Sequence, residues 1–253
     1  MGLTLIQDLA QRGAHIIALS PYPIDSPEVD VLITLLRSTT NNEHIFAEQC
    51  DLSSPNSVHS FCSRFLTGQD QRLDALVFAH EYQHIGSLLS PRPQWEAGKR
   101  EAGSLSTFLM VTLLLPALLV APVERDVRII NVINPFYAAA TRDLSFTASS
   151  SEASKPRSKS VILLEGTRAL RSAIFIRHLQ RVLDALPSAA QIPPTSAKSS
   201  AVPVVGSNTQ KSNIVAVSVS PGIGRSDTVA SFLGAEKGME ERSVWRVALC
   251  AFF

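Results

Sequence analysis

The stretch Arg72 to His84, RLDALVFAHEYQH, admits two folds that exclude one another. Its first half, Leu73 to Ala79, is a short aliphatic run with polar ends, the pattern of a strand buried on both faces of a parallel sheet. Its second half spells His80-Glu81-Tyr82-Gln83-His84, the spacing that sets two imidazoles on one helical face for zinc, with the glutamate activating water. A strand must end near His80 for the first, and a helix must run through it for the second. The flanking chain favours the strand: an aliphatic run leads straight into His80, Gly86 follows His84 closely, and of the downstream acids Glu96 and Glu101 neither stands in a third-ligand motif. A zinc hydrolase is therefore the remote reading, and no metal is expected.

On both sides of this stretch, strand-like and helix-like patterns alternate. Leu3, Leu5, Ile6, Leu9 and Ala10 follow helical spacing up to a stop at Gly13. Ala14 to Leu19 reads as a strand, and so does His44 to Cys50. Asn56 to Leu66 carries Val58, Phe61, Phe65 and Leu66 on one side of a helix. Such alternation implies a parallel sheet with helices on both faces. One domain suffices for 253 residues. Two Ser/Pro/Lys-rich stretches, 147–160 and 187–212, lack apolar periodicity and are expected to add no core.

A net charge of +1 leaves no electrostatic footprint for nucleic acid. Cys50, Cys62 and Cys250 are odd in number and irregularly spaced, which points to a reducing compartment. With no secretory leader recognised, an intracellular and preferably cytoplasmic location is expected. Phe108 to Val123 is uncharged but holds Pro116 and Pro122 and falls short of the about 17–25 residues of a membrane span. It reads as a helix buried in the protein or at a subunit interface, ahead of membrane association.

In order along the chain, Gly2-Leu3 with LIQDLAQRGAHIIAL, then CDLSSPNSV, RLDALVFA, STFLMVTLLLPALL, VRIINV, EGTRALRSAIFIRHLQRVL and VAVSVSPGIGRSDT resemble the short-chain dehydrogenase/reductase family, especially its retinol-dehydrogenase-like members. The resemblance implies a Rossmann-like, doubly wound α/β fold lacking its first strand and glycine-rich turn. The chain would then be a shortened form of a longer reductase-like protein, with Ala14–Leu19 either paired directly to Leu73–Ala79 or left beside an open slot. It further implies NAD or NADP as cofactor, a small carbonyl or alcohol substrate, and a homodimer through the 105–120 helix.

Carried over position by position, the resemblance puts Gly2 in place of the third glycine at the pyrophosphate, and Asp51 at the adenine. Ala79 falls in the run after the fourth strand of that family, Pro221 and Gly222 beside the nicotinamide, and Thr228 near the diphosphate. Asp51 has a second reading as a helix cap, and Pro221-Gly222 as an ordinary turn. The departures fall at the reaction centre. The serine that meets the substrate carbonyl falls at Asn134, the helix asparagine near Gly103, and the Tyr-x-x-x-Lys pair at Leu164 and Arg168. In that family a lysine lowers the phenol pKa from about 10 so that the tyrosine exchanges the proton. Leu164 has no proton to give, while Arg168 retains a donor for a ribose. Tyr137 is the nearest substitute in sequence, with aromatic packing as its other reading. An oxidoreductase by descent is expected, a pseudoenzyme in this form, with a non-catalytic scaffold as the alternative.

Overall fold

A computed structural model describes residues 2–68, 72–80, 94–121, 125–141, 161–185 and 213–222. In chain order the elements are α1 (Gly2–Gln11), β1 (Ile16–Ser20), α2 (Pro27–Thr40), β2 (Ile45–Gln49), α3 (Pro55–Thr67), β3 (Ala75–Phe78), α4 (Gln94–Leu119), β4 (Val127–Val132), α5 (Val161–Ala185) and β5 (Ile214–Val219). All strand pairs are parallel: β1 with β2, and β3 with β4 and β5 in that order. The α/β architecture and the parallel pairing are as expected from the sequence, but among the described residues the strands form two sheets, β1–β2 and β3–β4–β5, rather than one. The segments 147–160 and 187–212, Thr228, and Glu81 to His84 lie outside the described residues.

Helix α2 has no counterpart in the reading of the sequence. Pro27 opens it at N1, where a missing N–H costs nothing, and Asn41 closes it in the left-handed region at φ 51°. Its inner face carries Val29, Ile33 and Leu36, but Val31, Leu32 and Leu35 are apolar and exposed, so the stripe is blurred. Gly13 ends α1 as expected, with a φ of 79° that only glycine adopts without strain. Buried Asn42 then ties the two helices to the sheet, its Nδ2 donating to the carbonyls of Ala10 and Ala14 and its Oδ1 accepting from the His44 amide.

Two apolar clusters lie on opposite faces of the β1–β2 pair. Ala10, Val29, Ile33, Leu36 and Ile45 form one, with Ile16 and Ala47 packed against it. Leu19, an odd number of residues along from Ile16 and so on the opposite face, packs against the other. That larger cluster takes Val58 and Phe61 from α3, Met110, Leu114 and Leu118 from α4, Ile176 and Leu183 from α5, and the inner residues of β3, β4 and β5. Helices therefore cover both faces. Among the described residues no ladder joins β1 to β3, so of the two arrangements expected for Ala14–Leu19 the structure has the unbridged one.

α4 begins well before the apolar run that marks it in the sequence. Its length and composition from Gly98 to Leu119 would suffice to cross a membrane. Met110, Val111, Leu114 and Leu118 instead form a stripe buried under α3 and α5, while Leu105 and Phe108 remain exposed. At the outer edge of β5 the side chain of Gln180 takes the place of a neighbouring strand: its Oε1 accepts from the Ala216 amide and its Nε2 donates to the Ile214 carbonyl.

Candidate functional site

Parallel strands end on one edge of a sheet, and the loops leaving that edge are where open α/β folds hold ligands. After β2, the Asp51 Oδ1 accepts from the Ser53 amide at 2.8 Å and from its hydroxyl at 2.7 Å. These bonds hold the carboxyl below its ordinary pKa. The α3 cap is Ser54, which accepts from the Ser57 amide, so the cap reading of Asp51 does not hold. The second Asp51 oxygen makes no hydrogen bond among the described residues. The next residue, Leu52, accepts from the buried Ser106 hydroxyl of α4, fixing this loop against that helix.

After β3 comes Ala79 and then His80. The imidazole Nε2 is 2.9 Å from the Gly103 carbonyl and 3.2 Å from the Thr107 hydroxyl. A carbonyl only accepts, so this nitrogen carries the proton and is turned away from metal ligation. A Cβ at Gly103 would stand 3.6 Å from the ring, an ordinary van der Waals contact. Where the family resemblance expects a helix asparagine, this chain has a glycine whose backbone carbonyl meets an imidazole from the strand loop. Among the described residues no group of three potential metal ligands occurs.

After β4, Asn134 is fully enclosed, and both ends of its amide serve the backbone. Its Oδ1 accepts from the Phe136 amide at 3.1 Å, and its Nδ2 donates to the Glu165 carbonyl at 3.4 Å. The loop and α5 touch so closely that a Cβ at Gly166 would stand 2.3 Å from the Phe136 carbonyl oxygen. On α5, Leu164 is 51% exposed, whereas Glu165 and Arg168 are buried. The Arg168 guanidinium bonds the Glu165 carboxylate, which also accepts from Arg100 of α4 at 2.8 Å. One turn further along, Arg171 pairs with Glu101 at 2.6 Å on the surface. The structure thus gathers Asn134 and Arg168 around Glu165. Tyr137 starts a helical turn, is 37% exposed, and lines a cleft on the other flank of α5.

Pro221 and Gly222 follow β5, and Gly222 has a φ of 82°, a conformation that requires glycine there. Gly2 heads α1 with open space around it. The residues that sequence reasoning missed are Glu165 and Arg100. Their signal was faint: a glutamate three residues before an arginine in a helix that otherwise reads as apolar, with a partner far away in the chain.

This architecture matches solved structures of low sequence identity. A metagenomic short-chain oxidoreductase in complex with NADP superposes with a TM-score of 0.50 at 17% identity, over 72% of this chain and 70% of that one. Pseudomonas aeruginosa RhlG, in its NADP active-site complex, gives 0.51 at 22% identity, over 72% and 63%. The fold is that of the short-chain oxidoreductases. A bulky-bulky ketone specific alcohol dehydrogenase from Comamonas testosteroni shares it too, with a TM-score of 0.51 at 14% identity, over 72% and 62%.

In sequence, the chain is 31% identical over 137 residues to the uncharacterized oxidoreductase pbr1 of Schizosaccharomyces pombe, over 51% of this chain and 35% of that protein. It is 31% identical over 142 residues to an uncharacterized oxidoreductase of Saccharomyces cerevisiae, over 51% and 33%. The match spans about a third of the length of these curated relatives. No family model matches the chain.

Proposed function

We propose that this chain is an NAD(P)-binding domain of the short-chain oxidoreductase type, working on a carbonyl/alcohol pair. The observation that carries the proposal is the fold shared with NADP-bound short-chain oxidoreductases. The local chemistry fits the adenosine half of a dinucleotide. Asp51 keeps one carboxylate oxygen outward for an exocyclic amine, and Gly2 opens α1 with room for a close anion. Ala79 and the Pro221-Gly222 turn would supply backbone at the nicotinamide end; Thr228, which the family resemblance sets near the diphosphate, lies outside the described residues. The bound cofactor would supply or take the hydride. Asn134 would position the loop beneath the substrate and Arg168 would approach the ribose, while Tyr137, the sequence candidate for proton carrier, lines the cleft on the other flank of α5 and stands apart from them.

The pairing of Arg168 with Glu165, next to a leucine at 164, favours a second reading: the cofactor binds and no turnover follows. One experiment separates the two. NADH and NADPH fluorescence is titrated with the full chain, and consumption is then followed with a panel of ketones and aldehydes. Saturable binding with consumption supports the first reading, and saturable binding without it the second. No saturation at millimolar cofactor would sink both.

A second copy of the chain is proposed to cover exposed Leu105 and Phe108 on α4, where Phe108 also meets Phe175 of α5 at 5.3 Å. The two buried free thiols, Cys50 and Cys62, are in keeping with a reducing, cytoplasmic compartment.

A further inference from the structure

α5 has two flanks. Arg171 and Phe175 lie on the one that meets α4. Ala173, Arg177 and Arg181 lie on the other, where the helix, the end of β5 and the turn at Tyr137 enclose a cleft of about 530 Å³. That is the size of a small-molecule site. Its walls are largely apolar, from Ile133, Ile176 and Ala216. Ser218 lies at its floor, and the enclosed Ser218 hydroxyl has no hydrogen-bond partner among the described residues. The register partner of Ser218 in β4, Asn131, likewise has a buried side-chain oxygen without a partner among the described residues, although its Nδ2 donates to Ser172 at 2.7 Å. The rim differs in kind. Arg177 and Arg181 stand one helical turn apart, both exposed, and neither makes an ion pair among the described residues. Like charges at this spacing repel, and a shared anion removes the repulsion.

We propose that this cleft binds an amphipathic carboxylate, the alkyl or aryl body lying along Ile133, Ile176 and Ala216 and the carboxylate bridging Arg177 and Arg181. Guanidinium groups hold carboxylates through paired, charge-assisted hydrogen bonds, and Tyr137 at the mouth offers a further hydroxyl. The site lies across α5 from Glu165 and Arg168, and it does not depend on the dinucleotide reading.

The test uses octanoate as the probe, titrated into the full chain without nucleotide by calorimetry, with octan-1-ol and inorganic phosphate as controls for the tail and the head alone. Saturable binding at one site is expected, weakened about tenfold or more for octan-1-ol and for an Arg177→Gln/Arg181→Gln double variant. Both arginines are exposed, so circular dichroism of that variant should match the parent. A second variant, Ala173→Trp, fills the cleft without touching either charge and should abolish binding. Absence of saturation in the parent chain at millimolar octanoate overturns the proposal. So does an affinity for the double variant equal to that of the parent, or phosphate binding as tightly as octanoate.

Discussion

On the flank of α5 that faces α4, Arg168 and Arg171 each meet a carboxylate, Glu165 and Glu101, and Arg100 joins from α4. On the opposite flank Arg177 and Arg181 meet none among the described residues, and a cleft opens beside them. The same helix thus closes one side by ion pairing and leaves the other side electrostatically unsatisfied. The closed side includes the position where the resembled family keeps its tyrosine and lysine. Charge that would steer chemistry there instead holds two helices together. If this chain meets a small anion, the open flank is where its charges are available.

Four substitutions sharpen or break that contrast. The largest effect belongs to Glu165→Gln, which removes the negative charge from between two guanidiniums in a buried setting. A loss of about 3–5 kcal/mol is expected in urea unfolding, and a loss below about 1 kcal/mol would mean that the seam is solvated and the contrast false. Next comes Gly166→Ala. Its Cβ would stand 2.3 Å from the backbone oxygen of Phe136, and backbone cannot swing aside as a side chain does. About 1–3 kcal/mol of overpacking follows, and a neutral result would show that the closed side has slack.

Arg171→Ala should cost no more than about 1 kcal/mol, because both members of its pair are roughly half exposed. Its loss should also shrink as salt is added. The smallest effect is expected for Arg177→Gln, within about 0.5 kcal/mol either way, and on the stabilising side at low salt as a like charge is removed. Were it to destabilise as much as Glu165→Gln, the open flank would hold a partner as firmly as the closed one.

The layered frame was legible because it follows from local periodicity. Val127 to Val132 is a strand in sequence and in structure with the same ends, and α3 differs from its sequence reading only by a residue at each end. α2 escaped notice because exposed Val31, Leu32 and Leu35 mask the buried stripe of Val29, Ile33 and Leu36. α4 was read from its apolar half alone, since Gln94 to Arg100 is polar and shows its helical character only in place.

The candidate site was legible as an edge and not as a chemistry. Asp51, Ala79 and the Pro221-Gly222 turn stand at strand ends, which strand boundaries alone locate. Glu165 carries no motif of its own between Leu164 and Arg168, and its partner Arg100 lies 65 residues earlier in the chain. His80 shows the same limit. Its short motif belongs to the chain around it, but its contacts with Gly103 and Thr107 are set by how β3 and α4 meet in space.

Binding of a dinucleotide at the strand ends, beside an ion-paired seam where the resembled family has its tyrosine and lysine, is what we propose. It is tested most directly by titrating NADPH fluorescence with the full chain and with Asp51→Ala in parallel. Saturable binding that weakens about tenfold when the Asp51 carboxylate is removed is the expected result. An unchanged fluorescence at millimolar cofactor, or binding indifferent to Asp51, would contradict the account.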